Sequence, residues 1–111
     1  MTELTQRRCL PCEGGINALD RIAAEKMKTE LNDRWVLDEA GKSISAVFEF
    51  RNYYRTTAFI NAVIWIAHTE DHHPDILFGY KSAKITYSTH ALDGLSENDF
   101  ICAAKVDALV A

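Results

Sequence analysis

Histidine is the side chain best suited to moving protons near neutrality, because its unperturbed pKa of about 6.5 lies close to physiological pH. Of the chain's 4 histidines, His68, His72 and His73 crowd into the stretch Ala67-His68-Thr69-Glu70-Asp71-His72-His73-Pro74-Asp75. Neighbouring carboxylates can orient an imidazole or favour its charged form. Pro74 restricts His73 to extended backbone, so His72 and His73 point in different directions and need not do the same job. The fourth histidine, His90, stands alone. His68 precedes His72 by one helical turn, which with Glu70, Asp71 and Asp75 raises the alternative of a metal cluster. Against it, the sequence has no H-E-x-x-H pattern, and the backbone must bend at Pro74. The plainest alternative is a polar helix end with local hydrogen bonds. Taken singly, His90 reads as a structural histidine, and Asp99 as a first-turn helix acid held by backbone amides. Spacing alone does not bring either to the histidine pair.

The chain's 3 cysteines cannot all pair within one chain. Cys9 and Cys12 form C-L-P-C, the spacing of a redox pair or of half a zinc site, but no second C-x-x-C follows to complete four ligands. Reduced cysteines in a terminal segment without a thiol role are the simpler expectation. Cys102, between Ile101 and Ala103, is expected to pack as a small apolar side chain.

These groups must be held by the elements between them. Residues 1–16, with Pro11 and Gly14-Gly15, form an irregular lead-in, and one folded unit is expected over 17–111. Asn17 is the expected cap of a first helix with the apolar stripe Leu19, Ile22, Ala23, Met27 and Leu31, ending near Asn32. Trp35 to Leu37 and Ser43 to Phe50 read as an antiparallel hairpin around Glu39-Ala40-Gly41-Lys42. In the second strand Ile44, Ala46, Phe48 and Phe50 share the buried face. Asn52 caps a helix from Tyr53 to about Asp71, with Phe59, Ala62, Val63, Ile66 and Ala67 on its core side, widened by Ile60 and Ile64. Trp65 falls off the centre of that stripe, and ordinary packing is favoured over a subunit contact. Strands follow around Ile76 to Gly79 and Lys81 to Thr89, the latter alternating through Ala83, Ile85, Tyr87 and Thr89. That places His90 at the strand's end, on the face opposite Tyr87. Ser96 and Asp99 then give a capping-box-like start to a last helix that buries Phe100, Ala103, Ala104, Val106 and Val110. Such an order predicts an α+β fold, with hairpins covered by helices on one face.

Composition sets the bounds. With 111 residues, 48% hydrophobic and 25% charged, the chain suits a single globular domain. A formal net charge of −4 offers no basic field for gripping phosphates, so direct nucleic-acid binding is not expected. No apolar run reaches the roughly 20 residues of a membrane span, and MTELTQRR has no signal-peptide core; a cytoplasmic location is the expectation.

Glu70-Asp71-His72-His73-Pro74-Asp75, together with I-T-Y-S-T-H-A-L-D-G-L-S-E-N-D from Ile85 to Asp99, resembles the pterin-4a-carbinolamine dehydratase family over approximately residues 17–110. The resemblance implies an antiparallel four-stranded sheet with helices packed on one face. It also implies dehydration of a 4a-hydroxytetrahydropterin to the quinonoid dihydropterin, in recycling that serves aromatic amino-acid hydroxylases. The pterin is then the substrate, and neither a metal nor an organic cofactor is called for. His72, His73 and His90 become the catalytic set, with Asp71, Pro74, Thr89 and Asp99 binding substrate or supporting. His68, standing where the family often has glutamate, and Glu70 are further supporting candidates. Family members commonly form homodimers or homotetramers. In animals they also stabilise dimers of a transcription regulator, so a protein-interaction or coactivator-like dimerisation module is the alternative function.

Overall fold

A computed structural model describes residues 3–11 and 16–111. Its helices are α1 (Arg21–Lys28), α2 (Tyr53–Glu70) and α3 (Glu97–Leu109); its strands are β1 (Val36–Leu37), β2 (Ile44–Glu49), β3 (Asp75–Phe78) and β4 (Ser82–Tyr87). The strands form one sheet in the order β1-β2-β4-β3 with every neighbouring pair antiparallel. The three helices pack on one face, which confirms the expected α+β architecture.

Alternation in the central strands decides which face that is. Ile44, Ala46 and Phe48 of β2 and Ala83, Ile85 and Tyr87 of β4 are buried, and the register pairs them as Ile44 with Tyr87, Ala46 with Ile85 and Phe48 with Ala83. Phe59, Ile60 and Val63 of α2 and Phe100, Ala103 and Val106 of α3 close over this layer. An aromatic row runs through it: Trp35 meets Phe48 edge-on at 6.0 Å, and Phe48 meets Phe59 at 4.7 Å between ring centroids. Trp35 keeps its polar end satisfied by donating from Nε1 to Asp107 Oδ1 at 2.9 Å. Full burial of side chains of this size stabilises by roughly 1.5–3 kcal/mol each, so this layer is what holds α2 and α3 in place.

Where the chain departs from the expected elements, hydrogen bonding explains the shift. The Leu19 amide donates to Leu95 O, which keeps Leu19 out of α1; the cap is therefore Asp20, accepting from the Ala23 amide, and not Asn17. The helix is rotated accordingly. Ala24 is buried and Ile22 is 79% exposed, while Leu31 reaches the core from the turn after Lys28. Helix α2 matches its expected limits and is capped by Asn52, but Trp65 is 66% and Ile64 51% exposed, so Trp65 is not part of this core. β3 begins one residue early, and β4 ends at Tyr87, after which the chain enters a short 3-10 turn at His90–Leu92. Val110 lies beyond α3 and is surface-facing rather than buried.

The described part of the lead-in is anchored. Leu4 is buried, the Cys9 amide donates to Glu70 Oε1 at 2.8 Å, and Leu10 exchanges hydrogen bonds with the Asn98 side chain. Among the described residues no helix is long and apolar enough to cross a membrane.

Candidate active site

The end of α2 sets the first half of the site. Asp71 takes left-handed backbone geometry (φ 52°, ψ 46°), and the amides of Asp71 and His72 both reach back to Ala67 O. That turn swings His72 off the helix axis and into the protein, where it is 6% exposed. Asp tolerates this conformation better than most residues, because its short polar side chain suits it. His73 is exposed, Pro74 half-buried, and Asp75 opens β3.

The second half comes from the β4-α3 connection. Thr89 forms an isolated bridge with Gly94, which brings the loop back so that Ser96 can start α3. The expected capping box forms in full: Ser96 accepts from the Asp99 amide, and Asp99 returns the bond to the Ser96 amide. Asp99 does more than cap. Its Oδ2 accepts from the Ser96 amide at 2.9 Å and from Thr89 Oγ1 at 2.8 Å, while its Oδ1 lies 2.6 Å from His72 Nε2. Thr89 Oγ1 and Ser96 Oγ are themselves 2.7 Å apart. Asp99, Ser96 and Thr89 are essentially buried, so each bond acts without competition from water.

Tyr87 completes the cluster. Its ring stacks on His72 with centroids 6.0 Å apart and planes 7° from parallel. Among the described residues its hydroxyl is buried without a hydrogen-bond partner, and burial first, then the neighbouring Cys102, Cys9 and Asp99, hold that hydroxyl far above the ordinary phenol range. Tyr87 and Ser96 were not anticipated here. Tyr87 was visible as one buried position in an alternating strand and Ser96 as a helix cap, and both lie in the Ile85 to Asp99 stretch that carries the resemblance without being named as site residues.

The structure thus joins His72, Thr89 and Asp99. It leaves His90 exposed at the start of the 3-10 turn directly after Thr89, and His73 exposed directly after His72, so both follow members of the cluster in the chain. His68 is exposed on α2, with its ring 5.2 Å from that of Trp65. Glu70 is buried but faces other partners: Lys105 Nζ at 2.7 Å, Arg8 Nε at 3.3 Å and the Cys9 amide. Among the described residues no group of three or more His, Cys, Asp and Glu side chains is arranged to hold a metal ion.

The family model for pterin 4 alpha carbinolamine dehydratase matches residues 14–109. The chain belongs to this family. A Nitrosomonas europaea relative named for the same dehydratase is 54% identical over 107 residues, covering 96% of this chain and 93% of its own. A Legionella pneumophila relative so named is 43% identical over 109 residues, with 98% and 96% covered. Solved structures share the fold, two of them as follows. The transcriptional coactivator/pterin dehydratase from Brucella melitensis superposes with a TM-score of 0.81 at 25% identity, covering 86% of this chain and all of that one. A pterin dehydratase-like protein identified as a RuBisCO assembly factor in the alpha-carboxysome gives 0.63 at 28% identity, with 72% and 93% covered. Membership of the pterin-4a-carbinolamine dehydratase family supports a dehydratase activity for this protein in general terms.

Proposed function

We propose that the protein removes water from a 4a-hydroxytetrahydropterin, yielding the quinonoid dihydropterin, with histidines as acid and base. The observation that carries this reading is the 2.6 Å contact between His72 Nε2 and buried Asp99, within a chain of this family. The reaction breaks the bond from C4a to its hydroxyl, protonates the departing oxygen and takes a proton from a ring nitrogen. It consumes no electrons, so proton-transfer groups and a shaped pocket suffice.

A carboxylate only accepts hydrogen bonds, so Asp99 fixes His72 with Nε2–H toward itself and leaves Nδ1 for the substrate side. Because His72 is 6% exposed, a pterin must come directly against its ring, or be reached through one water, to exchange a proton with it. His90 supplies the second transfer from the turn that Thr89 begins, and His73 binds and orients the pterin. Asp71 and Pro74 set the direction in which the histidine pair leaves α2, and Thr89 holds Asp99. Glu70 and His68 act outside this chemistry, since the Glu70 carboxylate is already engaged by Lys105, Arg8 and Cys9. The product recycles the pterin used by an aromatic amino-acid hydroxylase.

In His72→Ala or His90→Ala, kcat for 4a-hydroxytetrahydropterin should drop by about 10²–10⁴, the usual contribution of a positioned acid or base, with the circular dichroism spectrum unchanged. Replacing His73 by Ala should raise KM more than it lowers kcat; an unchanged KM would remove its orienting role.

A partner-binding role is the second reading. It is favoured by the exposed Ile64 and Trp65 on α2 and by the described roles of the two solved relatives as coactivator and assembly factor. A protein that dehydrates no pterin but changes the oligomeric state of a copurified regulator would establish it in place of the first.

A further inference from the structure

Cys9 precedes Cys12 in the sequence, and Cys12 lies outside the described residues. Packing of the N-terminal strap brings Cys9 Sγ to 3.6 Å from Cys102 Sγ on α3, from the far end of the sequence. Three further contacts hold it there: the Cys9 amide on Glu70 Oε1 at 2.8 Å, Cys9 Sγ against Asn98 O at 3.7 Å, and the Leu10 amide on Asn98 Oδ1 at 3.0 Å. Cys102 is fully buried and Cys9 half-buried, so Cys9 is the more accessible member of the pair.

We propose that Cys9 and Cys102 are a peroxide-oxidised dithiol whose disulfide fastens residues 3–10 onto α3. From contact distance, the sulfurs need approach by only about 1.5 Å to reach a normal bond of about 2.05 Å. Cys9 meets the oxidant: its sulfur gives up its proton and attacks one peroxide oxygen, the O–O bond breaks, the departing hydroxide takes that proton and leaves as water, and Cys9 becomes a sulfenic acid. The Cys102 sulfur then attacks the Cys9 sulfur, the S–O bond breaks, and the departing hydroxyl leaves as water with the Cys102 proton. Two thiols are oxidised by two electrons, and one peroxide is reduced to two waters. The hydrogen bond with Cys9 and burial both hold the Cys102 thiol far above the usual thiol range.

The closed loop would run almost the length of the chain, where the unfolded state loses most freedom on cross-linking. In the reduced protein only non-covalent ties hold the strap, namely buried Leu4, the Arg7–Glu97 ion pair and the hydrogen bonds of Cys9 and Leu10; the disulfide adds a covalent one.

The test treats the full chain and its Cys12→Ser variant with hydrogen peroxide, alkylates the remaining thiols and digests with trypsin without reductant. The peptide Cys9–Arg21 should be recovered joined to Ile85–Lys105 in both proteins and be released by dithiothreitol. Oxidised Cys12→Ser should melt about 5 °C or more above its reduced form. Cys102→Ala, which keeps a small apolar side chain in place, should give neither result. A Cys9–Cys12 disulfide, a disulfide between chains, or over-oxidised Cys9 with Cys102 still free would each overturn the proposal, as would a cross-link that leaves the melting temperature unchanged.

Discussion

Asp99 is held by three donors at once: the Ser96 amide and the Thr89 hydroxyl on one oxygen, His72 on the other. An acceptor-only carboxylate satisfies all of them. Asparagine has nearly the same shape but presents an NH₂ group on one side, so in Asp99→Asn either one donor faces another donor or His72 switches tautomer and loses the free Nδ1. The expected result is a loss of about 1–3 kcal/mol in urea unfolding, the penalty of an unsatisfied buried group, together with a fall in kcat of about tenfold or more as His72 loses its fixed orientation. Loss of stability with full kcat would show that Asp99 serves α3 alone. At this scale the sequence disclosed the histidine segment and the Ser96-Asp99 box, because both are local patterns. It did not disclose the His72-Asp99 bond, which joins residues far apart in the chain through the β4-α3 loop. For the same reason the stacking of Tyr87 on His72 and the meeting of Cys9 with Cys102 were invisible: alternation says that a side chain is buried, not which distant group it touches.

Glu70 works between elements, tying the end of α2 to Lys105 on α3 and to the strap through Arg8 and the Cys9 amide. Burial by itself pushes its carboxyl up, but the Cys9 amide, Lys105 and Arg8 outweigh burial and hold it below its ordinary value of 4.5. A folded-state value below the unfolded one gives stability that is fully present above the unfolded pKa and lost as pH falls through the folded one. Glu70→Gln should therefore unfold about 1–3 kcal/mol more easily at neutral pH. Below about pH 4.5, where wild type surrenders this contribution, the two melting temperatures should converge. A constant gap down to pH 2 would mean that Glu70 acts by shape and not by charge. The elements themselves were largely legible, since α2, α3 and the central strands carry clear periodicities. α1 was not: its stripe could be drawn through Ile22 or Ala24, and a backbone bond from Leu19 to Leu95, which no local pattern encodes, selected Ala24.

Across the whole molecule, one face of a four-stranded sheet carries three helices, and the cluster of His72, Thr89, Ser96 and Asp99 lies where α2, β4 and α3 end or begin. That placement lets rigid elements fix the buried groups while His73 and His90 remain on exposed connections. The exposure of Trp65, which falls off the centre of the helical stripe and for which ordinary packing was favoured over a subunit contact, leaves an apolar flank on α2 outside the core of the single chain. Family membership supports a dehydratase in general terms, and the central claim of the proposed function is that histidines transfer the protons of a pterin dehydration. The direct measurement is stopped-flow absorbance following the decay of freshly generated 4a-hydroxytetrahydropterin, with wild type, His72→Ala and His90→Ala compared at equal concentration. Wild type should accelerate the decay well above the spontaneous rate, and each variant, still folded, should lose about two or more orders of magnitude of that acceleration. Decay at the spontaneous rate with wild type, or full acceleration by both variants, would contradict the account.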